Sequence, residues 1–445
     1  MMMNGDQGPS RPKRRRRRRP GPPRDGNRGT SGGNVGGNPT GNTGGGARHP
    51  RRGRRGRGPG QRPQSRQVQV VHDPPEGTAS LEVRGVLQVI ERQHGFLRSP
   101  QEDYRSEPGD AIVPRSLIQE LGLEPGVELE ARAIPNGNGP PCVAEIALIN
   151  GTEHAVWSKR TAFRDLVAES PHDRIRLELE PDEISMRVVD LITPIGKGQR
   201  CLIVAPPKAG KTVLLQKMAQ SITVNHPEIH LIVLLVDERP EEVTDMRRTV
   251  RGEVVASSSD ELARNHVQIA EIALERARRL VESGRDVVVL LDSITRLSRA
   301  YNTEQRSSGR VLSGGIDART MEKPRRFFGA ARNAVDGGSL TVIGTALVDT
   351  GSRMDEVIFQ EFKGTGNTEI VMDRSLFERR IFPCIDISAS GTRKEEKLFT
   401  PEEHQKVTLL RRALASLKPA EAMQLLTQRI GKHTTNAEFL RDLTK

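Results

Sequence analysis

Cysteine, aromatic residues and long apolar runs are all scarce in this sequence. The chain of 445 residues contains three cysteines and one tryptophan, and Phe, Tyr and Trp make up 3% of it. Cys142, Cys201 and Cys384 lie far apart, which excludes a disulfide framework and the paired spacing of a structural zinc site. No apolar run reaches the roughly 20 residues of a membrane-spanning helix, and the N-terminus lacks the apolar core of a secretion signal. We therefore expect a reducing, cytoplasmic location and no membrane partner.

Positive charge is abundant but concentrated at one end of the chain. Residues 1–66 contain 18 Lys and Arg against two acidic residues, with an unbroken run from Arg14 to Arg19. This excess is larger than the +12 net charge of the whole chain, so the remainder is mildly acidic. A segment of Gly, Pro, Asn and Arg cannot bury enough apolar surface to offset chain entropy, which predicts a disordered tail. The tail is a solubilising segment, a nuclear-import address or a device that captures nucleic acid by neutralising phosphates, and its charge density favours the last.

Short, partly alternating apolar segments separated by Pro and Gly turns fill residues 80–150. The four clearest run over 81–87, 95–98, 110–113 and 127–133. Their spacing favours a small closed β barrel, for which the oligonucleotide-binding type is one option. Phe96 and Arg98 would then stack on a base and hold a phosphate, although Phe96 fits a core position equally well. A linker over 151–180 and a larger domain over 181–445 follow.

A phosphate-binding loop is indicated between residues 201 and 212. The segment Cys-Leu-Ile-Val-Ala-Pro-Pro-Lys-Ala-Gly-Lys-Thr joins an apolar strand to a predicted helix over 213–224. Backbone N–H groups of such a loop point at phosphates, and Lys211 adds a positive charge. Ala205 stands where the general pattern has glycine, which requires that φ stay below zero at this position. The alternative is an ordinary strand, turn and helix.

Three further apolar segments predict parallel strands of a sheet that is covered on both faces. They span 230–236, 286–291 and 340–346 and alternate with predicted helices, the longest over 261–282. Glu238 and Asp292 closely follow two of them. Because ligands of such sheets bind beyond the carboxyl ends of the strands, we expect both acids near Lys211. The predicted fold is therefore multidomain: a disordered basic tail, a small β barrel, and an α/β parallel-sheet domain with C-terminal helices.

The polar residues at these strand ends match the needs of phosphoryl transfer. Lys211 would contact the β and γ phosphates, Thr212 would offer a hydroxyl to Mg²⁺, and Asp292 would orient the metal. Glu238 would orient or deprotonate the attacking water. Asp237 fits a role at this site and a role as a helix cap or solvated charge equally well.

Candidate cations and glycine-rich segments come later in the chain. Arg380 and Arg393 would stabilise charge on the transferred phosphate, and a neighbouring subunit could supply them in trans. The segments 309–315 and 362–367 are either plain turns or loops that bring Lys363 against a strand of nucleic acid.

Five motifs stand out in the larger domain: Ala-Pro-Pro-Lys-Ala-Gly-Lys-Thr at 205–212, Val-Asp-Glu-Arg-Pro-Glu-Glu-Val-Thr at 236–244, Leu-Asp-Ser-Ile-Thr-Arg at 291–296, Lys-Pro-Arg-Arg-Phe-Phe-Gly-Ala-Ala-Arg at 323–332 and Phe-Lys-Gly-Thr-Gly-Asn at 362–367. With these motifs the chain resembles the family of bacterial Rho transcription termination factors. The resemblance extends from about Leu81 to the C-terminus. It implies a RecA-like motor domain, and Ala205 then belongs to the family's own version of the phosphate loop.

The resemblance also implies roles for individual residues. It implies catalytic roles for Lys211, Glu238, Arg380 and Arg393, of which Arg393 would be the finger from the next subunit, and Mg²⁺ binding by Thr212 and Asp292. The implied ATP contacts are Gly196, Lys197, Gly198, Gln199, Arg200, Cys201, Lys208, Ala209, Gly210, Lys211, Thr212, Val213, Arg239, Arg296 and Phe382, with Phe382 on the adenine. The implied RNA contacts are Phe96, Arg98 and Asp110 in the barrel, and Val311, Ser313, Gly314, Arg353 and Lys363 in a ring channel.

The function implied by the resemblance is that of an ATP-dependent RNA translocase, or helicase, that binds nascent transcript and terminates transcription. Its cofactors would be ATP and Mg²⁺. Its partners would be single-stranded RNA, the RNA polymerase elongation complex and further copies of the chain in a hexameric ring. Two alternatives are a recombinase or rotary ATP synthase subunit of the same fold, and an RNA-binding regulator that uses nucleotide as a switch without turnover.

Two departures from the family pattern concern RNA binding. The family's barrel usually offers several aromatic residues to pyrimidines, whereas this chain has His94, Ile112 and the segment Pro-Pro-Cys at 140–142 at three of the expected places. A strong preference for C-rich RNA is therefore not expected. The basic tail replaces the small helical lobe that commonly precedes the barrel, which leads to the hypothesis that the tail supplies the affinity that the barrel has lost.

Overall fold

The computed structural model describes residues 80–90, 94–304, 315–317 and 319–443. The chain divides into two units, Met1–Gln67 and Val68–Lys445, and all described residues belong to the second. The predicted tail over 1–66 therefore lies outside the described residues. No helix within the described ranges is long and apolar enough to cross a membrane.

The first part of the described chain is a closed barrel of five strands in the order β1-β2-β3-β5-β4. All neighbouring strands are antiparallel except β3 and β5. The apolar residues that point inward include Leu87, Leu129 and Val143, none of which is more than 1% exposed. The strands are β1 (Leu81–Val89), β2 (Gly95–Arg98), β3 (Ile112–Val113), β4 (Glu128–Asn136) and β5 (Gly139–Ile149).

The second part is built on a sheet of nine strands whose central path runs β11-β10-β12-β14-β9-β15-β16. The strands from β11 to β15 along this path are parallel, whereas β16 runs antiparallel to β15. Strands β13 and β6 extend the sheet beside β14, and β7 and β8 form a separate pair. The strands are β6 (Ala168–Glu169), β7 (Arg174–Ile175), β8 (Ile195–Gly196), β9 (Arg200–Ala205), β10 (His230–Glu238), β11 (Glu253–Ser258), β12 (Val287–Asp292), β13 (Arg332–Ala334), β14 (Ser339–Leu347), β15 (Thr368–Val371) and β16 (Gly391–Thr392).

The described part of the chain has thirteen α-helices, and those from residue 184 onward cover both faces of this sheet. The helices are α1 (Arg115–Glu120), α2 (His154–Trp157), α3 (Ile184–Ile192), α4 (Lys211–Asn225), α5 (Pro240–Thr249), α6 (Ala263–Glu282), α7 (Ile294–Glu304), α8 (Glu322–Gly329), α9 (Arg353–Phe362), α10 (Arg374–Glu378), α11 (Pro401–Leu414), α12 (Pro419–Ile430) and α13 (Asn436–Asp442), with short 3₁₀ turns at Pro100–Glu102 and Glu395–Lys397.

The continuous apolar sequence of β9 shows why the sheet needs two covering layers. Successive side chains of a strand point to opposite faces. Cys201, Ile203 and Ala205 accordingly pack in one core with α4 and the C-terminal helices, whereas Leu202 and Val204 pack in a second core with α6 and α7. The predicted fold class, a small barrel followed by a parallel-sheet α/β domain with C-terminal helices, is confirmed.

Strands β5, β11 and β15 were not among the segments singled out from the sequence. β5 contains Pro140 and Pro141 near its start, and prolines in a run argue against a central strand. β11 and β15 have six and four residues and mix apolar with polar side chains. All three depend on pairing with other strands, which local periodicity does not reveal. The domain boundaries at 66, 80, 150 and 180 stay predictions.

Candidate nucleotide site and RNA-facing surfaces

The phosphate loop lies between the carboxyl end of β9 and the start of α4. Ala205 is fully buried and has a negative φ, as its replacement of glycine requires. The left-handed positions of the loop are instead Lys208, with φ 62°, and Gly210, with φ 86°. Because α4 begins at Lys211, its unpaired N–H groups and positive dipole end face the loop. The loop is therefore shaped to receive an anion.

Lys211 is held between two carboxylates from neighbouring strands. Its Nζ lies 3.1 Å from Glu238 Oε1 and 2.5 Å from Asp292 Oδ1. Burial lowers the pKa of Lys211, but the charges of Asp292 and Glu238 outweigh this effect and hold the pKa above its usual value. Both acids therefore lie next to Lys211, as we expected from their positions at the carboxyl ends of two strands.

Glu238 occupies the last position of β10 and is only 3% exposed. A bulge between Val236 and Glu238, with Asp237 at φ 56°, turns its side chain toward Lys211. Arg296 Nη1 lies 2.5 Å from the second carboxylate oxygen of Glu238 and also donates to the carbonyl of Asp237. Burial raises the pKa of Glu238, but Lys211 and Arg296 outweigh burial and hold the pKa below its usual value. Glu238 is therefore an ionised carboxylate.

The residues predicted to hold Mg²⁺ offer suitable oxygen atoms. Thr212 Oγ1 donates to Glu242 Oε2 at 3.3 Å, and Asp292 is 1% exposed. Asp292 Oδ2 is buried and has no hydrogen-bond partner, so it is free to accept from a metal-bound water. No group of three or more His, Cys, Asp or Glu within the described ranges forms a metal site by itself. This sparse donor set fits Mg²⁺, which keeps several waters and is bound mainly through nucleotide phosphates.

Phe382 and Arg380 lie beyond the carboxyl end of β15, on the same edge of the sheet as the phosphate loop. Met372, just after β15, donates its N–H to Val204 at 2.8 Å and forms a bridge with Ile385, which ties this segment to the end of β9. Phe382 is 50% exposed and contacts Phe377 edge to face, and Arg380 lies over the Phe377 ring. An exposed ring in this position is suited to stacking on a purine.

Arg393 lies at the opposite, amino edge of the sheet. It follows β16, which is antiparallel to β15, and its N–H donates to Asn367 O, directly before β15. The six residues of β9 separate that edge from the phosphate loop by about 17 Å at ~3.3 Å per residue. Arg393 therefore cannot reach a phosphate held by Lys211 of its own chain. The structure separates Arg380 from Arg393, although the sequence suggested that both could act in trans.

Residues 196–201 also lie at the amino edge of the sheet. Lys197 pairs with Asp286, Gly198 N–H donates to Thr341, and Gln199 donates to Thr368. Gly198, Arg200 and Arg393 line one cleft of about 360 Å³. Contacts from these residues to a nucleotide on the phosphate loop of the same chain are excluded by distance. Their nucleotide contact stays a prediction that requires a neighbouring subunit.

The remaining predicted nucleotide contacts lie around the phosphate loop. Lys208, Val213 and Arg239 are exposed there, while Ala209 is buried beneath the loop. Glu242 was not predicted as a site residue, although it lies on the first turn of α5 and contacts Thr212. The sequence offers no signal that separates it from the neighbouring Glu241, because both acids fit the start of a helix.

The barrel presents Phe96 within a row of side chains that spans four strands. Strand pairing places Gln88, Phe96, Ile112 and Cys142 side by side. His94 contacts the Phe96 ring edge to face at 4.9 Å. Phe96 is only partly buried, which agrees with a base-stacking role more closely than with a core role.

Arg98 does not point freely into solvent as a phosphate contact would. It is 4% exposed, forms an ion pair with Asp110, and lies over the Phe96 ring at 4.7 Å. Asp110 also accepts the Glu107 N–H at 2.7 Å. Arg98 and Asp110 therefore hold the Phe96 surface in shape, and a direct contact of either with RNA stays a prediction.

The predicted channel residues are only partly described. Val311, Ser313 and Gly314 lie outside the described residues. Arg353 and Lys363 are both exposed and flank α9, at its first residue and just after its last, so they are separated by about 15 Å along the helix. They would contact nucleic acid at two separate points.

The fold and the site define a P-loop ATPase joined to an RNA-binding barrel. Residues 185–392 match the nucleotide-binding domain of the ATP synthase alpha/beta family, and residues 83–154 match the RNA-binding domain of the Rho termination factor. A prototypical ATPase of the type III secretion system of pathogenic bacteria shares the fold, with a TM-score of 0.52 and 22% identity over 63% of this chain and 86% of that one.

The closer relatives identify the family. Transcription termination factor Rho of Aquifex aeolicus is 52% identical over 81% of this chain and 84% of its own length. The Rho protein of Haemophilus influenzae is 51% identical over 80% of this chain and 86% of its own length. The chain belongs to the transcription termination factor Rho family.

Proposed function

We propose that this protein is an RNA-dependent ATPase that binds nascent RNA, moves along it as a helicase and terminates transcription. The observation that supports this most directly is the division of one ATPase site between the two edges of the sheet. Lys211, Glu238 and Asp292 lie on the carboxyl edge, and Arg393 lies on the amino edge. A complete site then needs two copies of the chain, as in a homohexameric ring.

The proposed hydrolysis starts with an exchange of partners at Lys211. Nucleotide binding moves its ammonium group from the two carboxylates to the phosphates, which leaves Glu238 as an ionised acceptor for the attacking water. Asp292 and Thr212 would hold a hydrated Mg²⁺, which would supply positive charge to the phosphates. Arg296 keeps Glu238 in place through its ion pair. Arg393 of the next subunit stabilises the charge that develops on the transferred phosphate.

RNA enters through the barrel in this proposal. Phe96 stacks on a base, and the exposed Arg353 and Lys363 hold the backbone in the ring channel. The basic tail adds phosphate contacts without sequence preference. The protein acts in the cytoplasm on transcripts held by the RNA polymerase elongation complex.

The test compares Glu238→Gln with the wild-type chain in an ATPase assay with single-stranded RNA. We expect RNA-stimulated turnover to fall by about 10²–10³-fold, because the acceptor for the water proton is lost, while nucleotide binding persists. Glu241→Gln is the matched control, since Glu241 is an exposed carboxylate in the first turn of α5 and should leave turnover unchanged. Unaltered turnover of Glu238→Gln would contradict the catalytic assignment.

The same assay separates the alternatives. Stimulation by duplex DNA but not by RNA would indicate a recombinase-like ATPase, and stimulation by neither a rotary subunit. RNA binding that changes with nucleotide in the absence of any turnover would indicate a regulatory switch.

A further inference from the structure

A short segment of the barrel inserts into the motor domain beside the strand that supports Glu238. It comprises Ser99–Arg105, directly after β2, and is called the docking turn. Asp103 and Tyr104 are 2% and 0% exposed, and both have left-handed φ values of 54° and 56°. Two consecutive non-glycine residues in this conformation are unfavourable by themselves, so contacts with the motor domain must stabilise them.

Asp103 binds the middle of β11. Its Oδ1 accepts the Ala256 N–H at 2.8 Å and lies 2.5 Å from Arg247 Nη2 of α5. Strand β11 is the edge strand of the central path and pairs with β10 on its other side. Asp103 therefore satisfies a backbone donor that an edge strand would otherwise leave open.

Tyr104 binds the start of the same strand directly, and Arg105 is joined to its end through Glu261. The Tyr104 hydroxyl donates to Glu253, the first residue of β11. Arg105 Nη2 lies 2.7 Å from Glu261 Oε1, and this oxygen also accepts the N–H of Ser258, the last residue of β11, at 3.0 Å. The docking turn thus holds β11 at its start, middle and end.

The position of β11 determines the direction in which the Glu238 carboxylate points. Ser258 is the pairing partner of Glu238, and the N–H of Ser259 donates to the Glu238 carbonyl at 2.9 Å. The bulge at Asp237 exists only relative to this pairing. A displacement of β11 along β10 would therefore turn the Glu238 carboxylate away from Lys211.

The other end of the docking turn adjoins the base-stacking surface of the barrel. Phe96 lies three residues before Ser99. Arg98, which lies over the Phe96 ring, donates to Ser106 Oγ at 3.1 Å and pairs with Asp110. A base that stacks on Phe96 would therefore contact a ring whose neighbour, Arg98, precedes the docking turn and is hydrogen-bonded to Ser106 just after it.

We propose that the docking turn transmits RNA occupancy of the barrel to Glu238, with Asp103 as its central positioning residue. This inference rests on the proposed function as an RNA-dependent ATPase. It assigns Asp103 no contact with RNA or nucleotide: its effect on hydrolysis passes through β11. Loss of Asp103 should therefore change the rate of hydrolysis and neither the affinity for RNA nor the KM for ATP.

The test uses the full-length chain with Asp103→Ala and Asp103→Asn. With Asp103→Ala we expect kcat at saturating RNA to fall by about tenfold or more, because small misplacements of a catalytic group are costly. The KM for ATP and the RNA affinity, measured by fluorescence anisotropy without ATP, should stay within about twofold. Asp103→Asn should recover part of kcat, since its amide oxygen still accepts the Ala256 N–H.

Glu124→Gln is the matched control. Glu124, which precedes β4, forms ion pairs with Arg160 and with Arg279 of α6, so the variant weakens a contact to the motor domain without touching β11. It should keep wild-type kcat.

Each outcome decides the inference. Wild-type kcat in Asp103→Ala, weakened RNA binding in Asp103→Ala, or an equal loss in Glu124→Gln would overturn it while leaving the proposed function intact. A wild-type chain without RNA-stimulated turnover would overturn the proposed function and this inference with it.

Discussion

Lys211, Glu238, Asp292 and Arg296 form one network in which each charge has an opposite charge within 3.1 Å. Burial disfavours the charged forms of both Lys211 and Glu238. The opposite charges around them outweigh burial, so the pKa of Lys211 is raised and the pKa of Glu238 is lowered. Removing one partner of such a network leaves the others buried and uncompensated. Alanine variants here are therefore expected to lower stability as well as catalysis. Amide replacements also remove the charge but keep the size of the side chain and one hydrogen-bond acceptor, so they are the more informative choice.

Glu253 allows a pH test of the contact between barrel and motor. Burial raises its pKa, but His230, Tyr104 and Arg276 outweigh burial and hold the pKa below the usual 4.5. Because the folded-state pKa is depressed, the ionised carboxylate stabilises the fold above pH 4.5, and this contribution is lost as pH falls through the lower folded value. Glu253→Gln should therefore lower the urea midpoint at about pH 5.5 and lower it less at about pH 3.5.

The measurement can use the single tryptophan. Trp157 is 3% exposed, so its fluorescence reports unfolding. The exposed Glu241→Gln should show no difference at either pH. An effect of Glu253→Gln that is equal at both pH values would show that the hydrogen bonds, and not the charge, stabilise the contact.

At the level of secondary-structure elements, the phosphate loop has two positions at which the general motif contains glycine, and their backbone conformations differ. Ala205 stands in a strand with negative φ, whereas Gly210 has φ 86°. A Cβ at Gly210 would meet no atom within 4 Å, so only its backbone conformation requires glycine. The departure of Ala205 from the glycine of the general motif therefore has no structural consequence.

This difference predicts opposite results for two substitutions. Ala205→Gly should keep nucleotide binding and lower stability by about 0.5–1 kcal/mol through chain entropy. Gly210→Ala should strain the loop by about 1–2 kcal/mol. It should also weaken nucleotide affinity by at least tenfold, because the backbone N–H groups of the loop no longer point at the phosphates. Titration with a fluorescent nucleotide analogue measures both affinities. Equal affinities in the two variants would contradict the prediction.

For the molecule as a whole, the distance between Arg393 and Lys211 predicts complementation between subunits. Arg393→Ala and Lys211→Ala should each reduce hydrolysis by about 10³-fold or more. In a ring assembled from an equal mixture, about one interface in four combines an intact Lys211 with an intact Arg393. Single-turnover hydrolysis should reappear in the mixed ring. Separately assembled rings that are combined without exchange are the control, and no recovery after exchange would place Arg393 in the site of its own chain.

The basic tail gives a second prediction for the whole molecule. Deleting Met1–Arg66 should lower RNA affinity and flatten its salt dependence, by about 0.7 in the log–log slope for each lost phosphate contact. A full-length variant with Arg14–Arg19 replaced by Gln is the matched control for tail length and should show part of the loss. An unchanged affinity and slope would contradict the hypothesis that the tail compensates for the reduced aromatic surface of the barrel.

The phosphate loop, the central strands β9, β10, β12 and β14, and the family could all be recognised in the amino-acid sequence alone. These features are local: a continuous apolar run predicts a strand buried on both faces, and the residues that follow it lie at a known edge of a parallel sheet. The positions of Glu238 and Asp292 along the chain therefore suffice to predict that both lie beside Lys211.

Features that depend on which strands are neighbours could be learned only from the tertiary structure. It placed Arg393 at the edge opposite Lys211, closed the barrel with the proline-containing β5, and paired β11 with both β10 and the docking turn. The partly exposed Phe96 and the buried Arg98 beside it likewise follow from the closure of the barrel. Strand pairing and burial join residues that are far apart in the chain, and for this reason no local pattern of side chains encodes them.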